Sequence, residues 1–102
     1  MKTIDERFWQ GTQSLNFVQV VATGSHRLRV EIKRDSYDEQ SFAKVEILTD
    51  LGWKFLHSIP MREKHLDCFG CSYAERKWET RRGIFRCDAG QLLTIARKIL
   101  EG

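Results

Sequence analysis

Between His26 and Arg34 the chain alternates without a break, with Leu28, Val30 and Ile32 on one parity and Arg27, Arg29, Glu31 and Lys33 on the other. A period of two, with one oily set and one charged set, marks a strand that buries one face and wets the other. The segment after it repeats the pattern, Ala43, Val45 and Ile47 alternating with Lys44, Glu46 and Leu48. If Asp35 to Gln40 is the connecting loop, Ile32 falls opposite Ala43, Val30 opposite Val45 and Leu28 opposite Ile47. That pairing also sets Arg29 against Glu46 and Glu31 against Lys44, each worth about 0.2–1 kcal/mol as a cross-strand pair. A slip of one residue would send the two apolar sets to opposite faces, so the register is strongly specified.

Trp53, Phe55, His57 and Ile59 share a parity in the next segment. Asp50-Leu51-Gly52 reads as a three-residue connection, with Gly52 supplying the positive φ of a turn followed by a bulge. This predicts Thr49 opposite Trp53, Ile47 opposite Phe55 and Val45 opposite His57. The strand from Leu15 to Thr23 is apolar on both parities, with Leu15, Phe17 and Val21 on one and Val18, Val20 and Ala22 on the other. Gly24-Ser25 admits a two-residue or a three-residue turn, and only the longer one aligns Val20 with Val30 and Val18 with Ile32. Either way, large apolar side chains of this strand face away from the core. Phe8 and Trp9 of the N-terminal segment, or a second chain, are the candidates to cover them.

After Pro60 the alternation fails, and 60–77 is expected to be an irregular loop. A fifth strand is expected over 78–87, weakened by Gly83. A helix of about 13 residues is expected over 88–101. Asp88 would cap it and Gln91 complete a capping box, with Leu92, Ile95, Ala96 and Ile99 as the apolar stripe and Leu93 and Leu100 at its edges. Arg97 and Lys98 suit the negative end of its dipole. Too short to be stable alone, this helix must dock on the apolar face of the sheet. The expected fold is α+β, a four- to five-stranded antiparallel meander with one C-terminal helix packed on its apolar face. In that fold 1–14 is an N-terminal segment and 15–59 the β-meander of a single domain.

The topology from Leu15 to Gly102, a four-strand meander followed by one helix, resembles that of single-stranded-DNA-binding transcriptional coactivators. That resemblance implies dimerisation and nucleic-acid binding across a curved sheet; Met61 to Lys77 is an added segment that such domains lack.

A chain of 102 residues, 41% hydrophobic and 30% charged, is the size and composition of one soluble domain with a single core. No apolar run approaches a membrane span and no charged-then-apolar leader is present, so a cytoplasmic location and no membrane partner are expected. With 17 Lys and Arg against 14 Asp and Glu, the composition is not generally basic, and the distribution of charge carries more information. Arg27, Arg29, Lys33, Lys44 and Lys54 fall on the outer face of the meander. Arg76, Lys77, Arg81, Arg82 and Arg86 surround Trp78, with Glu79 opposing. Cations interleaved with an aromatic suit a phosphate backbone and a stacked base. The plainer and preferred reading is a solvated face whose charges discourage edge-to-edge aggregation.

Three cysteines are an odd number, against a closed disulfide framework. Cys68 and Cys71 have the spacing of a zinc knuckle that His65 and Cys87 would complete. A lone CxxC is a weak signal, no glycine follows Cys71, and Cys87 suits burial at a strand-to-helix junction. Ordinary reduced thiols are the preferred reading, and no cofactor is expected. Nothing here pairs a nucleophile with a base and an orienting group: His57 lies on the core parity, His26 sits in a turn, and no phosphate loop, metal helix or nucleophile elbow is present. The expectation is a non-enzyme.

The function expected is a small protein-binding module that occludes or scaffolds a macromolecular partner, as phage or mobile-element inhibitors of host defence (anti-CRISPR-like proteins) do. Its contact residues would be Arg27, Arg29, Lys33, Arg76, Lys77, Trp78, Arg81, Arg82 and Arg86, with homodimerisation through the first strand as an added expectation. One alternative is nucleic-acid binding through the basic sheet face and the Arg76 to Arg86 segment. The other is a small zinc-binding protein.

Overall fold

The computed structural model describes residues 1–11, 14–35, 41–59 and 78–102, with the side chains of 35 and 78–84 outside that description. Among the described residues five strands, β1 (Lys2–Gln10), β2 (Ser14–Thr23), β3 (His26–Asp35), β4 (Phe42–Thr49) and β5 (Gly52–Ser58), precede one helix, α1 (Trp78–Glu101). The strands pair antiparallel in chain order, β1-β2-β3-β4-β5. The segment expected as an irregular loop, 60–77, lies outside the described residues.

The β3–β4 pairing follows the sequence reading residue by residue: Leu28 faces Ile47, Arg29 faces Glu46, Val30 faces Val45, Glu31 faces Lys44 and Ile32 faces Ala43. Leu28, Val30, Ile32, Ala43 and Val45 are all buried. The β2–β3 turn takes the shorter of its two forms. Gly24 adopts φ +59°, Thr23 pairs with His26, and Val21 falls opposite Leu28 and Phe17 opposite Ile32. Leu15, Phe17 and Val21 therefore enter the core, while Val18 and Val20 face the other way, opposite Glu31 and Arg29.

Three expectations are corrected. First, the fifth strand is the N-terminal segment rather than 78–87. Lys2–Gln10 pairs along β2 with a bulge at Ile4, so Phe8 sits opposite Phe17 on the core side and Trp9 opposite Asn16 on the other. Phe8 therefore packs into the core and does not cover the outer face of β2.

Second, the segment from Trp78 is helical, and α1 runs 24 residues. The apolar stripe simply continues N-terminal to Asp88: Phe85, Ala89, Leu92 and Ala96 recur at steps of four, three and four, and all four are buried with Leu93. Gly83 inside this run is a cost of about 1 kcal/mol, which the burial of Phe85 outweighs. Asp88 is consequently an interior helix residue rather than a cap. The stripe is also rotated from the expected one, leaving Ile99 45% exposed.

Third, β4 and β5 are joined by a two-residue turn, Asp50-Leu51, so Gly52 pairs with Thr49, Trp53 with Leu48 and Phe55 with Glu46. Thr49 Oγ1 donates to the Gly52 carbonyl at 2.7 Å and accepts from the Leu51 amide at 3.2 Å, which closes the turn with Gly52 at φ +106°. A bulge at Leu56 then restores the expected pairing of Val45 with His57. The consequence is that Trp53 and Phe55 leave the core parity for the outer face.

The helix lies across the inner face of the sheet, against β2, β3, β4 and β5. Phe85 stacks on Phe17, ring centroids 5.9 Å apart and planes within 5°, and meets Phe8 at 5.4 Å and 56°. Aromatic pairs of this kind add about 0.5–1.5 kcal/mol to the burial of their area. Beside them Arg86 Nη2 donates to Glu6 Oε2 at 2.6 Å and Gln19 Nε2 to Glu6 Oε1 at 3.1 Å, tying the helix to β1 and β2. At the other end the Gly102 amide donates to the Lys98 carbonyl at 3.0 Å. No helix of the described residues is long and apolar enough to cross a membrane.

Candidate binding face

With α1 on one side, the other side of the sheet is a second surface of the described residues. Antiparallel pairing lines its side chains up in rows across the strands. One row runs Trp9, Asn16, Lys33, Phe42; the next Arg7, Val18, Glu31, Lys44, Ser58; the next Asp5, Val20, Arg29, Glu46, Phe55. Lys2, Ala22 and Arg27 continue on β1 to β3, and Leu48 faces Trp53 across β4 and β5.

The apolar members are far from hidden. Phe55 is 57% exposed, Trp9 46%, Leu48 43% and Phe42 37%, and Val18 and Val20 are half-buried between charged rows. Rings and aliphatic groups held this open on a paired sheet lose little conformational freedom on contact with a partner, which favours them as anchors.

Arg29 organises the charges. Its Nη2 lies 2.9 Å from Glu46 Oε1, its Nε lies 3.1 Å from Glu31 Oε1, and its guanidinium sits 4.6 Å from the Trp53 ring centroid. A cation over an indole face at a partly exposed site contributes about 0.5–1 kcal/mol. Lys44 Nζ lies 5.4 Å from the Phe42 ring centroid in the same way. At the β1 edge Arg7 Nε meets Asp5 Oδ2 at 3.1 Å.

Of the residues singled out from sequence, Arg27, Arg29 and Lys33 come together on this face, along β3. Arg86 does not join them. It lies on the helix side, held by Glu6. Trp78, Arg81 and Arg82 belong to the first turns of α1 rather than to a strand, and Arg76 and Lys77 fall outside the described residues. The nine residues therefore do not form one continuous surface on a sheet.

In the zinc set, His65, Cys68 and Cys71 lie outside the described residues. Cys87 is a free, exposed thiol on the helix and is not buried at a strand-to-helix junction. Among the described residues no three His, Cys, Asp or Glu side chains group as metal ligands. The strand proposed for homodimerisation, 15–23, is interior to the sheet with both edges paired, so it offers a second chain its outer face and no free backbone.

Sequence reasoning missed two parts of this arrangement. Phe42 was implicit in the β3–β4 register, which sets it opposite Lys33 on the outer side. Trp53 and Phe55 required the shorter β4–β5 turn, which no composition rule selects over the longer one. Compared with known protein families, curated proteins and solved structures, the chain matches none.

Proposed function

We propose that this chain is a non-enzymatic protein-binding module that acts by occluding or scaffolding a larger partner, with the face of the sheet opposite α1 as its contact surface. One observation carries the reading. A rigid five-stranded sheet holds Trp9, Phe42, Leu48 and Phe55 open on the side that α1 leaves bare. Occlusion by such a face is the mode we propose, as for an inhibitor of host defence carried by a phage or mobile element.

The test is co-purification from the natural host with two paired variants. Trp9→Ala with Phe55→Ala should abolish recovery of the partner at unchanged fold, whereas Gln91→Ala with Thr94→Ala on the outer side of α1 should leave recovery intact. The opposite pattern would move the contact to the helix.

Nucleic-acid binding is the second reading, supported by Lys33 lying in the row of Trp9 and Phe42 and Arg29 in the row of Phe55. It requires affinity for oligonucleotides that falls steeply with salt.

A further inference from the structure

Six of the described Lys and Arg side chains are engaged. Arg7 meets Asp5, Arg29 meets Glu31 and Glu46, Arg34 meets Asp88 and Arg86 meets Glu6, while Lys44 lies over the Phe42 ring and Lys33 has a contact of its own. The other five, Lys2, Arg27, Lys54, Arg97 and Lys98, are exposed and make no ion pair or side-chain hydrogen bond among the described residues. All five stand at one end of the molecule.

The topology gathers them there. Antiparallel pairing brings the start of β1, the β2–β3 turn and the β4–β5 turn to the same end of the sheet: Lys2 pairs with Ala22, Ala22 with Arg27 and Leu48 with Trp53. The register that sets Leu28 against Ile47 carries Arg27 beside Leu48. α1 crosses the inner face from Arg34, which holds Asp88, to His26, which shares a groove of about 200 Å³ with Arg97, Leu100 and Glu101. Its last turn therefore reaches the same end as the two sheet turns. Gly11, Ser14, Asp35, Ser41 and Ile59, which border the segments outside the description, lie at the other end of the strands.

Two carboxylates, Asp50 and Glu101, accompany the five cations, so the end is positive. It is also apolar at its apex. Leu51, in the β4–β5 turn, is fully exposed, with Leu48 and the half-buried Trp53 behind it and exposed Ile99 on the helix layer. From this combination we infer that the turn end docks on an anionic lipid surface. Leu51 enters the acyl boundary, Trp53 sits at headgroup level and the five cations lie over the headgroups. The inference goes beyond the protein-binding reading and does not rest on it.

Attachment to a bilayer surface grows with buried apolar area and with attraction to anionic lipids, and each Lys or Arg near such a surface multiplies partitioning about fivefold. Both contributions are present at this end. A nucleic-acid strand would run along Trp53 and Phe55, two residues apart on the outer face of β5, and would leave Arg97 and Lys98 on the helix layer without a phosphate. A second copy set end to end would place five cations against five, an unfavourable juxtaposition. A protein partner would need a pocket for Leu51 and contacts to both layers at once. A deformable anionic plane met end-on supplies both without a pocket. The sequence speaks only against a spanning segment, and a peripheral contact needs none.

The inference is tested by sedimentation with vesicles of phosphatidylcholine alone and of phosphatidylcholine with an equal share of phosphatidylserine, at low and at high salt. The protein should pellet with the anionic vesicles, be released at high salt and stay in solution with the neutral ones. Arg27→Gln with Lys98→Gln should lower partitioning about twentyfold and Leu51→Ser about tenfold. Lys44→Gln, which removes a charge away from this end, should change it less than about twofold. A thermal melt of each variant separates lost binding from lost fold. With ¹⁵N-labelled protein and a spin-labelled lipid in the vesicles, the amides of Gly24, Leu51 and Lys98 should broaden before those of Trp9 and Phe42. Equal pelleting with neutral vesicles, no pelleting with anionic ones, a Lys44→Gln loss as large as that of the Arg27 and Lys98 pair, or broadening that begins at Trp9 and Phe42 would each overturn the inference. Binding of an oligothymidine or of polyglutamate by a protein that does not pellet with anionic vesicles would give this end another occupant and overturn it as well.

Discussion

Arg34 and Asp88, 54 residues apart in the chain, meet in the interior, where Arg34 Nη2 donates to Asp88 Oδ2 at 3.2 Å and both residues are shut off from solvent. The pair joins the end of β3 to the middle of α1. Taking two charges out of water costs more than their attraction returns unless the geometry is good, but removing one of them strips the other of a buried counter-charge. Asp88→Ala should therefore destabilise the fold by about 3–5 kcal/mol, a large part of the ~5–15 kcal/mol available to a domain of this size. Replacing both, Arg34→Met with Asp88→Leu, should be close to neutral or stabilising. Urea denaturation of the three proteins checks this; equal losses for the single and the double variant would contradict it.

Much of this architecture is legible in the sequence, and the illegible parts have physical reasons. The β3–β4 register could be read because Leu28, Val30 and Ile32 and the pairs Arg29–Glu46 and Glu31–Lys44 all demand the same alignment. Arg34 shares the parity of Leu28, Val30 and Ile32, so its burial was available in the same alternation, and its partner was not. β1 shows no alternation because its inward positions are Thr3, Glu6, Phe8 and Gln10, and Glu6 there is met by Arg86 and Gln19. A tertiary contact from the far end of the chain decides that strand. The β4–β5 turn was ambiguous because both alternatives use Gly52 at positive φ, and the apolar outer residues Trp53 and Phe55 imitate a core set. The capping box at Asp88 and Gln91 misled because the same residues serve a helix interior whose polar member has a buried arginine.

Phe85 is the residue that distinguishes a long helix from a strand followed by a short one. It is fully buried and in ring contact with Phe8 and Phe17. Phe85→Ala should cost about 3–5 kcal/mol, as deletion of a buried ring does. Calorimetric melting of the variant measures the loss, and a loss below about 1 kcal/mol would place Phe85 outside the core.

The two glycines Gly90 and Gly52 should respond with opposite signs. Gly90 lies in an exposed turn of α1 with open space where a Cβ would go, so Gly90→Ala should stabilise by about 0.5–1 kcal/mol. Gly52 has equal space but holds φ +106°, so Gly52→Ala should destabilise by about 1–2 kcal/mol. Midpoints of chemical unfolding for the two variants give the comparison.

On the face opposite α1, Phe55→Ser should shift stability by no more than about 0.5 kcal/mol, because the ring is largely exposed and lies outside the core cluster. Partner affinity should nonetheless fall at least tenfold, measured by titration against the co-purified partner. A large stability loss instead would mean that the ring belongs to the packing of the fold.

The central claim is that one side of the sheet is core and the other is contact surface. Placing a photo-crosslinking amino acid in turn at Val20, Phe55 and Thr94, and irradiating in the natural host, reads this out directly. The account predicts adducts to one protein partner from Val20 and Phe55 and none from Thr94; adducts from Thr94 alone, or adducts to nucleic acid from the sheet positions, would contradict it.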